Sequence, residues 1–125
     1  MTAQTKRLAP CPGSPNCVSS DAADGRHSIA PFRIRGDAGF AWGALIEALG
    51  SMKRFVIVEQ TADYVHFEAK TTIFRFVDDV ELELREDEGI IAVRSESRVG
   101  QWDLGVNRRR IERIRQALQE RGVVE

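Results

Sequence analysis

No stretch of this sequence approaches the roughly 18–20 consecutive apolar residues of a membrane-spanning helix, so no membrane span is expected. The first residues, Met1 to Leu8, carry the basic pair Lys6-Arg7 with no apolar run behind it, which is not the pattern of a secretory signal. That reading leads to a cytoplasmic location. Charge of one sign is also missing. Lys and Arg number 18 against 19 Asp and Glu, a net charge of −1, so no whole-protein field draws in nucleic acid. Trp102 is the one aromatic residue near the arginines of the C-terminal third, and a nucleic-acid surface needs more stacking groups than that. No nucleic-acid partner is expected. Glycine-rich phosphate loops, metal-ligand spacings and a nucleophile–base–orienter set are absent too, so no cofactor or metal is expected.

Proline is scarce and confined. Pro10, Pro12, Pro15 and Pro31, with Gly13, Gly25 and Gly36, interrupt any helical or strand pattern over residues 1–36. An irregular arm of that length is unusual in a compact domain and is either functional or wrapped onto the core, with Ile29 and Phe32 as its anchors. Cysteine is limited to Cys11 and Cys17. In a reducing compartment these are thiols, although Pro-Gly-Ser-Pro-Asn between them can fold back to close a small disulfide loop. Their spacing is not a usual zinc spacing, and adding His27 or His66 gives three ligands at most. A nucleophilic thiolate at Cys17 paired with His27 is a further reading, and a loop staple, through a disulfide or buried sulfur, is the default.

What is present fits one globular domain over residues 1–125: 42% hydrophobic and 30% charged residues. Phe40, Ala41, Ala44, Leu45, Ala48 and Leu49 recur at three- and four-residue steps and predict a helix over 38–49, capped by Asp37 and stopped at Gly50. Four strands follow at about 54–60, 63–70, 74–84 and 90–98, with short polar connections that suit antiparallel hairpins. The third alternates Phe74, Phe76, Asp78, Val80, Leu82 and Leu84 with Arg75, Val77, Asp79, Glu81 and Glu83. Aligning apolar residues across the turn at 86–89 sets Leu84 opposite Ile91, Leu82 opposite Val93 and Val80 opposite Ser95. Glu81 then faces Arg94, a pair worth about 0.2–1 kcal/mol. Asp78 faces Ser97. Asp79 faces Glu96, a like-charge pair that needs a nearby cation or a bulge. A last helix runs over about 104–121, with Ile111, Ile114, Ala117 and Leu118 buried and Gly122 at its end.

Three segments carry a resemblance: Cys-Pro-Gly-Ser-Pro-Asn-Cys-Val-Ser-Ser at 11–20, Phe-Arg-Phe-Val-Asp-Asp-Val-Glu at 74–81, and the run from Val93 to Glu112 through Ser-Arg-Val-Gly-Gln-Trp-Asp-Leu-Gly-Val-Asn. From about Leu8 to Leu118 the chain resembles the domain-of-unknown-function family 1499. Some relatives carry N-terminal membrane or export segments, a pattern that Met1 to Leu8 do not show. The resemblance implies no established activity, ligand or catalytic residue.

The chemistry therefore rests on the residues themselves. Arg108, Arg109 and Arg110 oppose the helix dipole by about 0.3–1 kcal/mol each if Asn107 is the cap, and less if Asp103 is, which is the favoured choice. Residues 71–98 hold eight acids and four arginines, and 99–125 hold six arginines and four acids, so sheet and helix can neutralise each other. Asp78 is a carboxylate on an apolar strand face and must be paired, hydrogen-bonded, protonated or turned outward by a bulge. Its candidate partners are Arg98, Arg108, Ser97 and the backbone at Gly100. The architecture expected is α+β, ordered α-β-β-β-β-α: an irregular arm, then a four-stranded antiparallel sheet with both helices on one face. The other face, bearing Arg75, Asp79, Glu81, Glu83, Arg94 and Glu96, sees solvent or a partner. Function divides into two classes. One is a binding or accessory domain for a small anionic ligand or a protein partner, through Arg94, Arg98, Asp103, Asn107 and Arg108. The other is a small enzyme with acid–base chemistry at Asp78 and Asp79 or thiol chemistry at Cys17.

Overall fold

The computed structural model describes residues 8–70, 76–98 and 105–125. Asp37 opens the first helix, α1 (Ala38–Ser51), as expected: its carboxylate accepts from the Phe40 amide at 2.8 Å. Gly50 lies inside this helix rather than ending it. Ala41, Trp42, Leu45, Ala48 and Leu49 are its buried residues, whereas Phe40, expected among them, is 69% exposed. The reason is helical spacing. Residues 42, 45 and 49 share the inward face, while 40 aligns with Gly43, Ala44 and Glu47 on the outward one.

An antiparallel run of four strands follows: β3 (Phe55–Gln60), β4 (Tyr64–Lys70), β5 (Val77–Arg85) and β6 (Ile90–Ser97). The β5–β6 register is the one read from the sequence, with Leu84 on Ile91, Leu82 on Val93, Val80 on Ser95, Glu81 on Arg94, Asp79 on Glu96 and Asp78 on Ser97. β5 begins at Val77, so Phe76 precedes it and is 45% exposed instead of joining the core; Phe74 and Arg75 lie outside the described residues.

The sheet has six strands, not four. β1 (Cys17–Ser19) and β2 (Phe32–Arg33) both pair antiparallel with β6, giving the path β1-β6-β5-β4-β3 with β2 beside β1's end of the sheet. The order is thus β-β-α-β-β-β-β-α. Strands of three and two residues among prolines and glycines show no alternation, yet β6 would otherwise present an open edge, and the arm closes it.

The closing helix, α2 (Val106–Glu120), lies with α1 on one face of the sheet, as expected. Ile111, Ile114 and Leu118 pack with Leu45, Leu49, Phe67, Val80, Leu82, Ile91 and Val93. Ala117 is half-buried. At its end the Gly122 amide (φ 74°) bonds Gln119 and the Val123 amide bonds Leu118, a paired arrangement that satisfies the last carbonyls. The helix starts at Gly105 with φ 79°, a left-handed conformation that favours glycine. Asn107 is therefore a first-turn residue and not the cap; Asp103, the favoured cap, lies outside the described residues.

The opposite face is covered where solvent was expected. Leu8 of the arm packs on Tyr64 and Ala92, Arg94 donates to the Pro10 carbonyl at 3.3 Å, and Asp21 grips Arg85 with both oxygens at 2.7 Å. Glu83, Arg85 and Arg94 are consequently buried.

Candidate anion-binding site

Asp78, Ser95 and Ser97 occupy the inner face of β5 and β6 at the end that lies under the start of α2, where apolar residues would have filled the core. A carboxylate there needs a counter-charge, and Arg110 supplies it. Arg110 Nη2 donates to Asp78 Oδ2 at 2.6 Å, with both side chains buried. Arg110 Nη1 reaches Asn107 Oδ1 at 2.9 Å and Ser95 Oγ at 3.2 Å. The Asn107 amide donates to Ser97 Oγ at 2.9 Å and to the Asn16 carbonyl at 3.2 Å, which joins the arm to the network. Of the partners considered for Asp78, the structure selects none of Arg98, Arg108 or Ser97, and Gly100 lies outside the described residues; the cation is Arg110, two residues beyond Arg108 on the helix.

The other residues singled out in the sequence lie apart. Arg94 sits on the covered face between Glu96 at 3.0 Å and Glu81 at 3.4 Å. Arg98 clamps Asp79 at 2.7 and 2.9 Å and Glu68 at 2.7 Å, while His66 also reaches Asp79 at 2.8 Å. The like-charge pair of Asp79 and Glu96 thus receives cations from both sides. Arg98, and secondarily His66, holds the Asp79 carboxyl below its ordinary range, and the two carboxylates raise Arg98 further above its own. Arg108 donates to the Arg26 carbonyl at 3.4 Å. Cys17 is bonded to Cys11, so the thiol readings have no free sulfur, and His27 turns its ring to Asp24 and Ser14. Most of the charge neutralisation lies within the sheet and arm; Asp78–Arg110 is an ion pair that links the sheet to α2.

A different set of cations converges. Between the end of α1, the start of β3, the end of β4 and the first turns of α2 lies an open cleft of about 590 Å³. Lys53, Arg54, Lys70, Arg110 and Arg113 line it, with Ser51, Met52, Phe55, Ala69 and Val106. The Lys70 amide donates to the Arg54 carbonyl at 3.0 Å, which pins the turn before β3 against the end of β4 and brings the two cations side by side in the backbone. Arg110 stands at the rear, already held by Asp78. Among the described residues, no carboxylate pairs with Lys53, Arg54, Lys70 or Arg113, and none lines the cleft. Val106 adds the N-terminal end of α2, whose dipole favours negative charge.

Sequence reasoning missed Lys53, Arg54 and Lys70, and took Arg113 only as a member of the arginine-rich helix. Each is an ordinary surface cation in its own segment, and positions 53–54, 70 and 113 meet only once the hairpin and the closing helix are in place. The nearest signal was the arginine excess after residue 98.

A family model described as "Protein of unknown function (DUF1499)" matches residues 7–118, most of the chain. No curated protein and no solved structure matches it.

Proposed function

We propose, from the premise that the chain belongs to the DUF1499 family, that it is a non-catalytic domain that binds a small anionic ligand in the cleft between α1, β4 and α2. One observation carries this reading: four cations without carboxylate partners among the described residues share a single concavity on a protein whose net charge is −1. Like charges gathered in this way repel one another, and an anion relieves the cost. The volume suits a small molecule, and a concave site favours such a ligand over a flat protein surface. Lys53, Arg54, Lys70 and Arg113 are the binding residues in this reading, and Asn107 with Asp78 positions Arg110 behind them.

No described helix is long and apolar enough to cross a membrane. The Cys11–Cys17 disulfide favours an oxidising compartment over the cytoplasm expected from the N-terminus, because such bonds persist where thiols are not kept reduced.

Thermal unfolding with sodium pyrophosphate, against sodium chloride at matched ionic strength, tests the reading. A hundredfold excess over Kd stabilises by about 2.7 kcal/mol and should raise Tm by roughly 10 °C. The double variant K53Q/R113Q should lose most of that rise. No rise in the parent protein, or an equal rise in the variant, overturns it.

A further inference from the structure

Arg54 has φ of 70°, the one non-glycine residue at positive φ among the described residues. A side chain in this left-handed conformation crowds its own backbone, and glycine or asparagine is the usual occupant. The turn needs that backbone: it carries the chain from α1 into β3, and its carbonyl receives the Lys70 amide. It does not need an arginine side chain, for which the structure shows no carboxylate partner among the described residues. The side chain is exposed and faces a cleft that already holds three other cations with no carboxylate partner among the described residues, so conformation and electrostatics both disfavour it in the empty protein. The cleft is not uniformly polar either. Met52, Phe55 and Val106 are half-buried in its lining, and Phe55 is backed by Phe67 with ring centroids 4.7 Å apart. An aromatic edge beside a cluster of cations suits a ligand that carries both an anionic group and an apolar body.

We infer that the cleft takes a phosphate monoester, or an anion of the same charge and shape, bearing an apolar group, and that Arg54 anchors its charged end. This rests on the anion-binding reading above and narrows it to a ligand class and one residue.

Calorimetric titration with inorganic phosphate and with phenyl phosphate, on the parent protein and on Arg54→Gly, tests it. The apolar group should tighten binding at least tenfold over inorganic phosphate. Arg54→Gly should weaken phenyl phosphate at least tenfold while raising the Tm of the ligand-free protein by a few degrees, since glycine relieves the positive φ and removes one like charge. Equal affinities for the two probes overturn the ligand class and leave the anion site standing. A fall in Tm for Arg54→Gly makes the arginine structural and overturns the anchoring role. Binding of neither probe overturns the inference and the anion-binding reading together.

Discussion

Replacing Arg110 with methionine would leave the Asp78 carboxylate buried beside Ser95 and Asn107 with no counter-charge. Breaking a buried pair from one side costs about 3–5 kcal/mol, because the remaining ion keeps its desolvation penalty and loses its attraction. Removing both charges is different. In Arg110→Met combined with Asp78→Leu, neither penalty remains, and stability should return to within about 1 kcal/mol of the parent. Urea denaturation of the two singles and the double measures this directly. If Arg110→Met alone is neutral, the pair does not hold the start of α2 to the sheet. The sequence alone exposes half of this arrangement. Asp78 is conspicuous because period two puts a carboxylate among Val80, Leu82 and Leu84. Arg110 is one of three consecutive arginines, and only the helix phase, fixed by where Gly105 starts α2, decides which of them turns inward.

At the scale of elements, the four long strands, α1 with its Asp37 cap and α2 were legible because each has enough residues to show its period. The arm was not. Its contribution comes from isolated contacts: Asp21 on Arg85, Asn16 on Ser97 and Asn107, Arg115 on the Ala30 and Pro31 carbonyls and over the Phe32 ring at 4.9 Å. A further contact within the arm titrates. His27 Nδ1 lies 2.7 Å from Asp24 and Nε2 lies 2.8 Å from the Ser14 carbonyl, so both ring nitrogens face acceptors and only the protonated ring satisfies both. The Ser14 carbonyl and then Asp24 raise the His27 pKa above 6.5, and His27 lowers that of Asp24 below 3.8. The signs follow from linkage. The His27 contribution is fully present below pH 6.5 and disappears as pH rises through its raised folded value; that of Asp24 is present above pH 3.8 and disappears as pH falls through its lowered one. The Tm difference between the parent and His27→Gln should therefore be largest between those limits and shrink towards alkaline pH. A difference that stays constant from about pH 6 to 9 would show that the ring acts by packing alone.

The charge balance of the whole molecule, 18 cations against 19 acids, hides an uneven distribution. The sheet faces and arm consume their charges in short pairs: Arg85 with Asp21 and Glu83, Arg94 with Glu81 and Glu96, Arg98 with Asp79 and Glu68. Among the described residues, the cleft keeps its cations apart from carboxylates. A protein shaped only for stability has no reason to hold Lys53, Arg54, Lys70 and Arg113 around one concavity, since their repulsion opposes the folded state and vanishes when the chain unfolds. That asymmetry makes a prediction that needs no ligand. Lys53→Gln, Lys70→Gln and Arg113→Gln, singly or together, should raise Tm in 10 mM salt, where repulsion reaches about 30 Å, and the gain should fade by 500 mM as screening contracts to a few ångströms. The control is Arg98→Gln, which removes a cation of the same kind from a paired position and should lower Tm in low salt. If the cleft variants behave like the control, their side chains are engaged in stabilising contacts and the site has no unbalanced charge with which to attract an anion.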